Sequence, residues 1–219
     1  MSAKLIYLIT DVDGVIFDRM PAIMTAFVEV MRPLGIPEER VISYTQNSLG
    51  ATFESQTKGL LAESGKTISD DDVRLARRRF WEIFDANQTA VFPGVKDTLE
   101  YLKARQIKIL ASTGSKTSEV EDLFAKFSLP CDFILGSDKI AKGDEHINVF
   151  ARHFSIAKTD FCREAAFVGD GTVDMQIAAR NGIYSIGITN SIPAAPLIAA
   201  GAQTIIANFS EITKFMITG

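Results

Sequence analysis

Apolar positions recur along this chain with two different periods. From Leu5 to Ile9 they run almost unbroken for the length of a buried strand, and the run stops abruptly at Asp11-Val12-Asp13-Gly14. Beyond Phe17 the period becomes helical: Ile23, Phe27, Val30, Met31 and Leu34 share one face, Pro21 suits the first turn, and Gly35 with Pro37 marks the stop. Residues 38–63 predict one or two further helices with a polar loop near Tyr44 to Gly50. Ser69 opens another helix, since Asp70, Asp71 and Asp72 favour its positive end and Val73, Ala76, Phe80 and Phe84 give it one apolar face. Between Phe17 and Phe92 the pattern is helical throughout and contains no strand.

Val91-Phe92-Pro93-Gly94 breaks that pattern, and the chain then alternates. Val95, Leu99 and Leu102 predict a helix before a strand at 107–112. Val120, Leu123, Phe124 and Phe127 predict a helix before the strand Phe133-Ile134-Leu135. A helix around 144–155, a strand at 165–169, a helix around 173–181, the strand Tyr184–Ile188, a helix around 194–200 and a strand near 203–206 follow. Alternation of this kind predicts right-handed crossovers and an α/β fold with a mainly parallel sheet, into which the helical block is inserted.

Composition narrows the functional classes. The chain has 219 residues, 47% of them apolar, enough for one large domain or a core with a modest insertion. A net charge of -4 without a basic block argues against nucleic acid as a partner. No apolar run has the length of a membrane span, and the short run before Asp11 does not read as a signal peptide. Cys131 and Cys162 form no CxxC pair and read as free thiols, so the expected location is cytoplasmic.

The candidate chemistry lies at strand ends. If the extended geometry persists, Asp11 and Asp13 point to one side of the first strand, an arrangement that invites either a shared proton or a cation; a helix cap or an Asx-turn is the plainer alternative. A second short apolar strand, Ala165–Gly169, runs into Asp170 and Asp174. Sites in open α/β sheets form beyond the carboxyl ends of strands. If these acids converge, each ionised pair at about 4 Å repels by about 4 kcal/mol at an effective dielectric near 20, so the cluster requires a cation. All-oxygen ligands suit Mg²⁺.

Asp11-x-Asp13-Gly14, Ser112 after Lys108-Ile109-Leu110-Ala111, Lys142, and Gly169-Asp170-x-x-x-Asp174 occur in the order of the four motifs of the haloacid dehalogenase superfamily, which the chain resembles from residue 5 to about 190. The resemblance implies a Rossmann-like mainly parallel core, residues 1–17 and 91–219, and an inserted α-helical cap, residues 18–90. It implies Asp11 as the nucleophile that forms an aspartyl-phosphate, and Asp13 as the acid and base for the leaving oxygen and the attacking water. It places Mg²⁺ on Asp11, Asp170 and the backbone carbonyl of Asp13, with Asp174 beside it, and has Ser112 and the Thr113 amide bind a phosphoryl oxygen. Gly114 indicates close backbone approach there. The resemblance makes Lys142 the expected charge-balancing lysine; the family often has proline next, whereas Gly143 and Asp144 follow here, and Lys139 or neither lysine is the alternative. An acid two residues after the nucleophile is what phosphate-transferring members show, and a dehalogenase normally lacks it.

Other signals carry less. Gly65-Lys66-Thr67 has neither the glycine spacing nor the preceding strand of a P-loop and reads as a linker. Arg74, Arg77, Arg78 and Arg79 read as a solvated helix face, Trp81 with Phe80 and Phe84 as cap core, and His146 and His153 as structural or exposed. Arg19, at the entry to the cap, is a candidate substrate contact. The function expected from the resemblance is a Mg²⁺-dependent phosphatase for a small phosphorylated metabolite. A phosphomutase like β-phosphoglucomutase and a non-catalytic module for a phosphorylated ligand are the alternatives. The sequence leaves the oligomeric state open.

Overall fold

The computed structural model describes residues 5–49, 51–67, 69–84, 89–138 and 140–216. Its centre is β1 (Tyr7–Thr10), fully buried because parallel strands cover both of its edges: β4 (Lys108–Ser112) and β6 (Ala165–Gly169). With β5 (Phe133–Leu135), β7 (Tyr184–Ile188) and β8 (Thr204–Ile206) they form a six-stranded parallel sheet of order β5-β4-β1-β6-β7-β8. Alternate side chains face opposite layers, as strand geometry requires. Leu8, Ile109, Ala111 and Val168 pack on α5 (Val95–Ala104) and α6 (Thr117–Lys126). Tyr7, Ile9, Leu110 and Phe167 pack on α7 (Asp144–His153), α8 (Lys158–Arg163) and α9 (Thr172–Asn181). This is a Rossmann-like α/β core. Among the described residues no helix is long and apolar enough to cross a membrane.

The helical block leaves and re-enters the core through a two-residue antiparallel ribbon, β2 (Phe17–Asp18) and β3 (Ala90–Val91). The strand-free reading of this stretch missed it, since a two-residue pairing leaves no period in a sequence. Between them lie α1 (Met20–Met31), α2 (Glu38–Asn47), α3 (Phe53–Glu63) and α4 (Asp70–Ile83), which share a core of their own around Phe27, Met31, Leu60, Leu61 and Phe80. The start expected at Ser69 is a capping box: Ser69 accepts from the Asp72 amide and Asp72 reaches back to the Ser69 amide.

The polar loop expected from Tyr44 begins later. Val41 and Thr45, one helical turn apart, are both buried, and the helix continues through Asn47, where the Ser48 hydroxyl donates to the Tyr44 carbonyl at 2.7 Å. Gly50, its expected end, lies outside the described residues. The helix expected to reach 155 ends at His153, because Ser155 takes a left-handed φ of 56°, and α8 follows as a separate element. The core closes with α10 (Ala194–Ala199) and α11 (Thr213–Met216).

The register Thr10↔Ala111 and Thr10↔Val168 brings the carboxyl ends of β1, β4 and β6 level. Asp11, Ser112 and Asp170 therefore emerge at one edge of the sheet, beneath the helical block. Cap and core touch there: Leu49, just beyond α2, packs with Met175, Ile192 and Leu197, and the Thr172 hydroxyl donates to the Asn47 carbonyl at 3.3 Å.

Candidate active site

Asp11 is 5% exposed at the end of β1. Its Oδ1 accepts from the Val12 amide at 2.8 Å and lies 2.8 Å from Lys142 Nζ. The same ammonium is 2.7 Å from Asp174 Oδ1, and neither Lys142 nor Asp174 has any side-chain exposure. These are ion-pair distances without hydrogen-bond alignment: the ammonium and both Asp174 oxygens lack directed partners. Asp170, also buried, accepts from the Ser191 hydroxyl through Oδ2. Gly14, at φ +79°, makes room for it, since a Cβ there would collide with the Asp170 carboxylate.

Carboxylate oxygens of Asp11, Asp170 and Asp174 lie within 4.8 Å of one another. One ammonium against three acids leaves the cluster short of positive charge. Burial, the charges of Asp174 and Asp170 adding to it, pushes Asp11 well above the usual carboxylate range despite Lys142. Burial and the Asp174 charge likewise push Asp170 up to about 7, against the Ser191 hydrogen bond. Burial acts to lower Lys142, but the Asp11 and Asp174 carboxylates outweigh it and hold the ammonium above its ordinary value. Three buried carboxylates, one of them, Asp174, with no aligned hydrogen bond to either oxygen and only the Lys142 ion pair on Oδ1, are a hard-oxygen donor set that fits a divalent cation. Lys139, the alternative to Lys142, lies outside the described residues.

The Asp13 carboxylate stands apart from this cluster. Its Oδ1 is 2.5 Å from Arg19 Nε, and its Oδ2 accepts from the Ser115 hydroxyl at 3.1 Å. Arg19, 4% exposed, lies against the Phe84 ring, 5.4 Å from its centroid, and lines the cavity.

The phosphoryl contacts expected after β4 differ in detail. The Thr113 amide donates to the Leu135 carbonyl and so belongs to the β4–β5 pairing; Gly114, whose amide has no bonded acceptor among the described residues, lines the cavity. The Ser112 hydroxyl meets His146 Nδ1 at 2.9 Å and does not line the cavity. His146 Nε2 lies 2.9 Å from the Ile140 carbonyl, which can only accept, so Nε2 carries the proton and Nδ1 accepts from Ser112. His146, read as structural or exposed, is fully buried and joins the end of β4 to the loop before Lys142. Burial, aided by the Lys142 charge, lowers it to about 4, so it is neutral at ordinary pH.

A cavity of about 120 Å³ separates the core edge from the cap, which contributes Phe53, Phe80 and Trp81 as well as Thr45, Glu54, Gln56 and Arg77. The cap-core aromatics thus also form a wall. The arginine cluster divides: Arg74, Arg78 and Arg79 are exposed, while Arg77 faces the cavity and pairs with Glu54 at 2.5 Å. Only its place one turn from Phe80 and Trp81, on the apolar side of α4, distinguishes it in the sequence.

The family model of the haloacid dehalogenase-like hydrolases matches residues 8–188, and the chain belongs to that family. Within it, the "Probable phosphatase IndB" of Dickeya dadantii (strain 3937) is 29% identical over 214 residues, 93% of this chain and 90% of that protein. The phosphoglycolate phosphatase of Pasteurella multocida (strain Pm70) is 25% identical over 191 residues, 82% of this chain and 83% of the other. The crystal structure of a hydrolase from Pseudomonas syringae shares the fold with a TM-score of 0.83 at 19% identity, covering 97% of this chain and 99% of that one. The protein is an enzyme of the hydrolase class, similar along most of its length to phosphatases.

Proposed function

We propose that the protein is a Mg²⁺-dependent phosphatase that hydrolyses a small phosphorylated metabolite through an aspartyl-phosphate on Asp11. The observation that carries this reading is Lys142 Nζ wedged between Asp11 and Asp174, with Asp170 completing a buried acidic cluster. A carboxylate meets a phosphate dianion only where opposite charge is built in. Asp11, Asp170 and the Asp13 carbonyl would hold Mg²⁺, with Asp174 supporting it. When bound, the ion supplies positive charge to the phosphoryl oxygens and to the carboxylates around it.

The chain's own groups then divide the work. Val12 and Lys142 hold Asp11 Oδ1, which orients the carboxylate for attack on phosphorus. Arg19 and the Gly114 amide take phosphoryl oxygens. As Arg19 turns to the phosphate, Asp13 is released from its ion pair, takes up the proton that the phosphate monoanion brings, and passes it to the ester oxygen as the P–O bond breaks. Water then attacks the aspartyl-phosphate, Asp13 takes its proton, and inorganic phosphate leaves with Asp11 restored. The cap excludes bulk water from the cavity of about 120 Å³ that it forms with the core.

The test is phosphate release from a panel of phosphorylated metabolites and an aryl phosphate, with and without Mg²⁺, for wild type and Asp11→Asn. Turnover that needs Mg²⁺ and falls by about 10³-fold or more in the variant is expected. Undiminished turnover by Asp11→Asn would remove the covalent route. Isomerised sugar phosphate without phosphate release would identify a mutase.

A further inference from the structure

We propose that the substrate's leaving group is a neutral, hydroxylated alcohol, a small sugar or polyol rather than a carboxylic acid; this rests on the phosphatase reading above. The recognition groups are on the cap. Arg77 Nη1 and Glu54 Oε1 are 2.5 Å apart on the cavity wall, their side chains 34% and 40% exposed, so the pair remains open to a ligand.

An arginine presented alone would select a carboxylate. With Glu54 beside it, the subsite has no net charge. Among the described residues, the charged side chains on the cavity wall are the acids Asp11, Asp13, Glu54 and Asp170 against the bases Arg19 and Arg77. The core already has to accommodate a phosphate, and a carboxylated leaving group would set one more negative charge against Glu54. Hydroxyl groups fit the same pair at no such cost, donating to Glu54 and accepting from Arg77.

A second observation points to the same ligand chemistry. Thr45 is 2% exposed, lies on the cavity wall, and its hydroxyl has no partner. Some helical threonines of the chain bond back to the carbonyl four residues earlier, as Thr25 does to Pro21 and Thr98 to Gly94, while the buried Thr57 of α3, which is not on this wall, also lacks a partner. Thr45 does not, which leaves a buried donor and acceptor for a ligand. On the same cavity wall, Gln56 commits its amide nitrogen to Ser48 at 2.9 Å and keeps its oxygen as an acceptor. Trp81 adds an aromatic wall, a surface suited to the C–H face of a sugar.

The experiment compares kcat/KM with Mg²⁺ for ribose 5-phosphate, phosphoglycolate and 4-nitrophenyl phosphate in wild type, Glu54→Gln and Thr45→Val. Wild type is expected to favour ribose 5-phosphate over phosphoglycolate by about tenfold or more, the order of one charged hydrogen-bond pair. Glu54→Gln should shrink that ratio by about tenfold by gaining on phosphoglycolate, and Thr45→Val should shrink it by raising KM for ribose 5-phosphate. A wild-type preference for phosphoglycolate, or a ratio that neither variant moves, overturns the proposal. Turnover of the aryl phosphate separates the two levels. Present with the wrong preference, it sinks the leaving-group assignment alone; absent from all compounds, it sinks the phosphatase reading and this one with it.

Discussion

His146 shows how a single residue can tie two parts of the site together. Asp11, Asp13 and Asp170 declare themselves in the sequence because carboxylates at the ends of apolar strands are out of place in a core. His146 declares nothing: its partner Ser112 is 34 residues away in the chain, and only α7 packing on the sheet joins them. Its chemistry makes a pH prediction. The folded state holds it neutral with a value near 4, whereas an unfolded chain protonates it at about 6.5, so its contribution is intact above pH 6.5 and is lost as pH falls towards 4. Between pH 7 and pH 5 this amounts to about 2 kcal/mol. Urea unfolding at the two pH values should show stability falling more steeply in wild type than in His146→Gln; parallel slopes would contradict a buried neutral imidazole.

At the scale of elements, what sets the cavity is how α2 and its following turn meet the core. The capping box at Ser69 was legible because it is local, written within four consecutive positions. The approach of Leu49 to the loop after β6 was not, since it joins the cap to a strand end far along the chain. Gly171 is where the two meet, and a Cβ there would lie 2.5 Å from the Leu49 carbonyl oxygen. Its φ of -113° is open to alanine, so Gly171→Ala strains no backbone and only pushes the cap away. The expected result is a fall in kcat/KM of about 10- to 100-fold with unfolding stability within about 1 kcal/mol of wild type. Unchanged kinetics would mean that cap closure at Leu49 does not position the substrate.

For the whole molecule, folding concentrates three buried carboxylates against one lysine, an imbalance that the proposed Mg²⁺ would offset. A ligand that binds only the folded chain stabilises it by mass action, about 2.7 kcal/mol at a hundredfold excess over Kd. For a chain of 219 residues that corresponds to a rise in Tm of about 5–10 °C on adding Mg²⁺, reversed by chelation. A melting temperature indifferent to Mg²⁺ at millimolar concentration would argue against the cluster as its site.

The sequence by itself determined the alternating α/β core, the helical insertion and the acidic strand ends, because strand and helix periods, caps and misplaced charges are local properties that need no partner to be read. The tertiary structure decided what those residues face. It turned the Ser112 hydroxyl to His146, gave the Thr113 amide to the sheet, paired Asp13 with Arg19, and chose Arg77 alone from its cluster to line the cavity. Each of these depends on which elements pack together and in what register, and burial and electrostatics act on that arrangement rather than on the order of residues along the chain.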